Sequence, residues 1–143
     1  MGTVLSLASP ASAAVVQSEC TTTQKVVGTP GDDLYLDVRV CVQKDSTGVY
    51  RAEATFDWEH GGYAVDFEKL QLHLRLEKYD VVQKGAVCDF KDEVNNINSG
   101  IRPCQVPWSS ASSPLTADAT MVYNHNNDGQ GDYSTDFTGS PSI

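Results

Sequence analysis

The stretch FEKLQLHLRLEKY, Phe67 to Tyr79, decides the fold. Glu, Lys, Leu and Gln are good helix formers, so composition alone favours a helix. Spacing says otherwise. Leu70, Leu72, Leu74 and Leu76 recur at period two, with Gln71, His73, Arg75 and Glu77 between them. A helix would scatter those leucines around its circumference, whereas a strand gathers them on one face. The pattern outranks the propensity, and the segment reads as a strand with one buried side. Tyr63, Val65 and Phe67 alternate in the opposite parity, which places a bulge or turn near Glu68 and Lys69.

The same period appears upstream. Leu34, Leu36, Val38, Val40 and Val42 alternate with Tyr35, Asp37, Arg39, Cys41 and Gln43. Turn residues KDSTG, Lys44 to Gly48, follow, and then Tyr50, Ala52, Ala54, Phe56 and Trp58 alternate with polar residues. Two alternating runs across a short turn predict a hairpin. Downstream, Phe90, Val94 and Ile97 are spaced four and three apart, which predicts one short helix with Asp89 as its cap and Gly100 as its end. The run PWSSASSP, Pro107 to Pro114, reads as a surface loop, and segments 117–123 and 133–138 as a closing hairpin. The expected fold is mainly β: an antiparallel β-sandwich or barrel with one short helix and two disulfides.

The four cysteines, Cys20, Cys41, Cys88 and Cys104, are too widely spaced for the close pairs of a zinc site. An even count in a small domain predicts two disulfides. Of the three possible pairings, Cys20–Cys41 with Cys88–Cys104 is the most local and is the one expected. The second closes a loop for which chain entropy gives roughly 3 kcal/mol. Because Cys41 falls on the polar face of its strand, a bridge to Cys20 is expected to tie the N-terminal segment over the outside of the sheet.

That N-terminal segment reads MGTVLSLASPASAAVVQSEC. A short apolar run from Val4 to Leu7 precedes Ala11-Ser12-Ala13, a small-residue cleavage pattern, so residues 1–13 read as the remnant of a secretory signal peptide. Residues 14–143 are then a single disulfide-stapled β domain, secreted and extracellular, with no membrane span. Asp and Glu outnumber Lys and Arg by 19 to 10, for a net charge of −9. Such a surface repels phosphate backbones, which argues against nucleic-acid binding.

Motifs that could carry chemistry are few. In NHNNDGQGDYS, Asn124 to Ser134, the residues Asn124, Asn126, Asp128 and Gly129 match the opening of a calcium loop, with Asp132 able to act through a water. Position twelve is Thr135, where Glu would give a bidentate contact, and two of the ligands are uncharged Asn. The stretch therefore reads first as a polar hairpin tip and second as a calcium site; no other cofactor is expected. GTPGDDLYLD, Gly28 to Asp37, resembles one unit of a calcium repeat, but a single copy has no neighbour with which to share an ion. It reads as a turn with Asp32 and Asp33 solvated. DWEHGG, Asp57 to Gly62, brings two carboxylates and His60 to a strand end, a composition capable of acid–base work. His73 and His125 are far from it in sequence and complete no metal motif. Serine-nucleophile signatures and phosphate-binding glycine loops are missing.

Trp108 stands beside Pro107 in a serine-rich loop just after Cys104. Tryptophan held on a disulfide-fixed loop suits a protein or sugar partner, or else it folds back over the open end of the core. In size, export signal, acidity and two-disulfide layout, the chain resembles small secreted adaptor proteins of actinobacteria. Some of those link a lectin-bearing subunit to a toxin-bearing subunit in extracellular particles. The likeness is one of layout over the whole chain and carries over no binding residue. It implies a non-catalytic protein that mediates protein–protein assembly, with another secreted protein as partner; independently of that likeness, exposed strand edges read as docking sites and Val15 to Gln24 as a free segment able to extend into a partner. A secreted protease inhibitor is the second reading, with Arg102 as specificity residue, although Pro103 makes that bond resistant to cleavage. A small extracellular hydrolase built on Asp57, Glu59 and His60 is the third.

Overall fold

A computed structural model describes residues 13–63, 65–126 and 128–143. The expected signal remnant lies outside the described residues except for Ala13. Two four-stranded antiparallel sheets make up the described chain. The first has the order β1-β2-β3-β6, with β1 at Val15–Val27, β2 at Leu34–Asp45, β3 at Tyr50–Glu59 and β6 at Ser99–Gln105. The second has the order β5-β4-β7-β8, with β4 at Phe67–Lys78, β5 at Val81–Asp89, β7 at Thr116–His125 and β8 at Tyr133–Asp136. Among the described residues a single short helix, α1, spans Lys91–Asn96 between β5 and β6.

Period-two patterning explains how the sheets meet. Leu70, Leu72, Leu74 and Leu76 are fully buried, as are Val38, Val40, Val42, Ala52, Ala54 and Phe56 on the facing sheet. Large residues stand opposite small ones across β4 and β7, where Leu74 pairs with Ala119 and Leu76 with Ala117. That alternation lets the layers interdigitate without voids. The bulge falls where the change of parity predicts it: Phe67 pairs with His125 and Lys69 with Asn124, leaving Glu68 as the extra residue.

Both disulfides have the expected pairing. Cys88–Cys104 joins β5 to β6, and so ties one sheet to the other. Cys20–Cys41 acts differently from expectation. Cys20 stands directly opposite Cys41 on the neighbouring strand, 4.1 Å apart at Cα, so the N-terminal segment is no strap across the outside. It is the edge strand β1, and Val15 to Gln24 is not a free arm.

The helix is shorter than its apolar spacing suggests. Phe90 and Val94 are buried, but Ile97 is extended and 42% exposed. Asp89 acts from one position earlier than a standard cap: its Oδ1 accepts the Lys91 N–H at 3.0 Å. Gly100 does not end the helix. It belongs to β6 and passes against the ring of Trp58, where an added Cβ would come within 2.6 Å of the indole. The indole N–H donates to the Ile97 carbonyl at 2.9 Å, which fixes this crossing.

The β2–β3 turn is held by Asp45. Its Oδ1 accepts the Thr47 N–H and hydroxyl, both at 2.8 Å, and the Val49 N–H at 3.2 Å. Burial pushes the Asp45 carboxyl up, but the Thr47 hydroxyl and the N–H groups of Val49, Thr47 and Gly48 outweigh it and hold the group below its ordinary value. A carboxyl lowered by folding stabilises the fold fully above the unfolded value, near pH 4, and loses that contribution as pH falls through the folded value. Replacing Asp45 with Ala is therefore expected to lower the thermal midpoint near neutral pH. The gap from wild type should close as pH is lowered towards about 2, and a gap that persists there would count against the turn's charge as the cause.

Candidate functional site

Residues 57–60 straddle the first sheet. Asp57 and Glu59 point from the outer face of β3, while His60 turns inward and is 5% exposed. The His60 Nε2–H donates to the Val94 carbonyl at 2.6 Å, and its backbone N–H bonds the Asn98 carbonyl at 2.7 Å. The imidazole thus pins the α1 segment to the end of β3. The two carboxylates and the imidazole do not converge. On the outer face, Asp57 lies directly opposite Asp37, and both line a shallow groove of about 290 Å³ with Glu59 and Tyr35. Like charges in direct opposition across a sheet repel.

The other sequence-predicted residues are also accounted for. Asp32 is not merely solvated: its Oδ2 accepts the Tyr63 N–H at 2.9 Å, clipping the 61–63 loop to the β1–β2 turn. Trp108 neither projects freely nor covers the core. The loop runs back beside β3 through paired bonds between Tyr50 and Ser109. Trp108 is half-buried there, with the Arg51 guanidinium 4.5 Å from its ring centre. Arg51 is held in turn by Gln43 and Glu53. Arg102 lies within β6, opposite Phe56, so it belongs to a paired strand and not to a protruding loop.

At the β7–β8 hairpin, Asp132 accepts from Lys69 Nζ at 2.7 Å. Asp128 Oδ1 accepts the Gln130 N–H at 2.8 Å, and the Asn124 side-chain N–H₂ points to the Gln130 carbonyl and to Asp132. Asn126 is exposed, its backbone N–H bonded to the Asp66 carbonyl, and Asn127 lies outside the described residues. One oxygen of Asp128 and both of Asp132 accept from protein donors, while the Asn124 side-chain oxygen is buried with no protein donor among the described residues. Beneath the tip, Phe67, Tyr123, His125 and Tyr133 form an aromatic cluster with Tyr123 and Tyr133 stacked at 5.5 Å. Burial raises the Tyr123 hydroxyl above its ordinary value, and the neighbouring Tyr133 adds to the rise. Among the described residues, no group of three or more His, Cys, Asp or Glu is placed to hold a metal ion, and no helix is long and apolar enough to cross a membrane.

One feature of the surface has no counterpart in the sequence reading. The β4–β5 hairpin closes through Tyr79 and Asp80, with Lys78 paired to Val81. Both loop residues have positive φ, 50° and 62°. Such two-residue loops favour Asn and Gly, and a bulky residue in this region costs about 1–2 kcal/mol. Yet Tyr79 sits there 77% exposed, beside Val81 at 62% and Val82 at 52%. A small depression of about 180 Å³ adjoins the tip, lined by Tyr79, Asp80, Pro114, Thr116 and Ser142. The result is an apolar, strained projection on an otherwise acidic protein. No protein-family model, curated protein or solved structure matches the chain.

Two substitutions separate structure from chemistry in residues 57–60. Replacing His60 with Ala is expected to cost about 1–3 kcal/mol in denaturant unfolding, since it removes a buried bond and leaves the Val94 carbonyl unpaired. Asp57→Asn should leave stability unchanged or raise it by up to about 0.5 kcal/mol, because it relieves the repulsion with Asp37. At the hairpin, about 1 mM calcium should leave the thermal midpoint where chelator leaves it. A rise with calcium would instead assign Asn124, Asn126, Asp128 and Asp132 to a cation.

Proposed function

We propose that this chain is a non-catalytic exported protein that joins other exported proteins into an assembly. Its docking element is the Tyr79–Val82 tip. The supporting observation is the placement of Tyr79: a large aromatic occupies a left-handed backbone position where it costs stability, and it is left in solvent. Folding gains nothing from that arrangement, whereas a partner does. Strain of this kind accumulates where function requires it. Tyrosine is among the residues that anchor interfaces, because it offers a large apolar ring with few rotatable bonds and a polar end. The neighbouring valines and depression extend the surface around it.

Other features fit. Two disulfides are the covalent form that oxidising compartments permit. The catalytic candidates sit on opposite sides of a sheet. Joining subunits is also the role implied by the resemblance to secreted adaptors, the lectin–toxin particles being one such assembly.

The test uses the double variant Tyr79→Asn with Asp80→Gly, which supplies the residues that the turn geometry favours. It should be more stable than wild type, by about 1 kcal/mol in denaturant unfolding. Wild-type protein recovered under mild conditions from its native culture fluid should carry a companion protein that the stabilised variant loses. Wild type recovered alone, or a variant that keeps the companion, would refute the assignment.

A further inference from the structure

We infer that β1 pairs with β1 of a second copy of this chain, antiparallel about Thr22, to form a continuous eight-stranded sheet. This inference rests on the opposite edge of the molecule from Tyr79 and does not depend on the function assigned to that tip.

The first observation is the edge itself. β1 is a 13-residue strand hydrogen-bonded on one side to β2 and, among the described residues, to nothing on the other. Long free edges are templates for a further strand, and proteins blunt them with proline, short length, bulges or inward-pointing charges, the last of which matter here only if the arriving strand leaves them uncompensated. β1 contains no proline or glycine, and its register irregularity is confined to the start, between Val15 and Gln17. On that side of the second sheet β8 has four residues, and the chain after it continues beside β7 through bonds of Phe137 to Ala119, Ser140 to Ala117 and Ile143 to Leu115. The Thr138 N–H reaches Thr23 Oγ1 at 3.0 Å, and the earlier half of β1 runs beyond that crossing with Val15 to Glu19 exposed. The outer side of the first half of β1 is thus open to a second copy.

The second observation is charge complementarity, and it selects the occupant. β1 carries two charged residues, Glu19 and Lys25, of opposite sign. They lie on the same face of the strand, the face of buried Val27, because they share its parity. Neither has an ion-pair partner among the described residues. The two are equally distant from Thr22. In antiparallel pairing about Thr22, Glu19 of one copy faces Lys25 of the other, and the symmetry makes the contact twice. Thr21 then faces Thr23, and Cys20, already bridged to Cys41, faces Gln24. Moving the two-fold to Thr21 or Thr23 sets both charges opposite uncharged residues. Parallel pairing in register sets Glu against Glu and Lys against Lys. One arrangement alone satisfies both charges, and its partner is this same sequence. A two-fold contact of this kind is isologous and closed, so it ends at a dimer.

The contact is mainly backbone pairing plus two exposed ion pairs, and two copies of net charge −9 repel at long range. A modest, concentration-dependent dimer follows. Sedimentation equilibrium up to about 1 mM protein should show it. Glu19→Lys puts lysine against lysine twice and should weaken the dimer roughly tenfold. Lys25→Glu puts glutamate against glutamate and should do the same. Mixing these two variants restores both pairs, so the mixture should associate as wild type does while each alone does not. Both positions lie outside the core, and unchanged melting of the variants serves as the folding control. Wild type that stays monomeric throughout, single variants that dimerise like wild type, or a mixture that fails to associate would each overturn the inference. None of these results bears on capture through Tyr79, which the hairpin variant tests separately.

Discussion

The leucine row of β4 must be covered on its one apolar side, and the architecture follows from that requirement. Burying each leucine contributes about 1.5–3 kcal/mol. The helix preference of the intervening Glu, Lys and Gln residues is a matter of tenths of a kcal/mol per position. A helix over this segment would leave part of the leucine row in water, so the local preference loses. Once β4 is a strand, its neighbours must present small residues where it presents large ones. Ala117 and Ala119 do so within its own sheet. The first sheet supplies the other half of the core through Val38, Val40 and Phe56. Cys88–Cys104 then fastens the layers along the β5–β6 side, where the inner face of β5 is only partly buried.

β2, β3 and β4 were legible from spacing alone, because both neighbours and a facing layer demand the alternation, while β7 was legible, with β8, as a hairpin around its polar turn. β1, β5 and β6 were not legible, for one shared reason. They are edge strands, and an edge needs less apolar surface. β1 carries Glu19, Thr21, Thr23 and Lys25 on its inner parity, where the strand is exposed or only partly buried up to Val27. β6 contains Gly100 and Pro103, which ordinarily argue against a strand; glycine is required by the Trp58 ring, and proline is tolerated where one side lacks a hydrogen-bonding neighbour. The disulfide pairing was legible from locality, but the role of Cys20–Cys41 was not, because its geometry depends on β1 being a strand.

Among site residues, spacing misled in a consistent way. Asp57, Glu59 and His60 look like a cluster in a string of letters, but alternation in a strand sends neighbours to opposite faces. The carboxylates go to solvent, and the imidazole goes under α1 to bond Val94. Trp108 is half-buried with the Arg51 guanidinium over its ring, a contact between segments that residue spacing does not show. Tyr79 was overlooked because its significance is conformational. Its residue type is ordinary on a surface; its positive φ is not, and dihedral angles are invisible until the hairpin loop is known to hold two residues.

The exterior has an electrostatic logic of its own. With 19 acidic residues against 10 basic, most chance encounters between copies are repulsive. That general repulsion suppresses indiscriminate edge-to-edge pairing while leaving room for a particular one, since a single favoured register needs only local compensation. The placement of Glu19 and Lys25 either side of Thr22 supplies compensation in one register and withholds it in the others. At the opposite side of the molecule, Val81 and Val82 of β5 stand exposed beside Tyr79. The two edges of the sandwich thus differ in kind: one carries two opposite charges, the other an apolar projection.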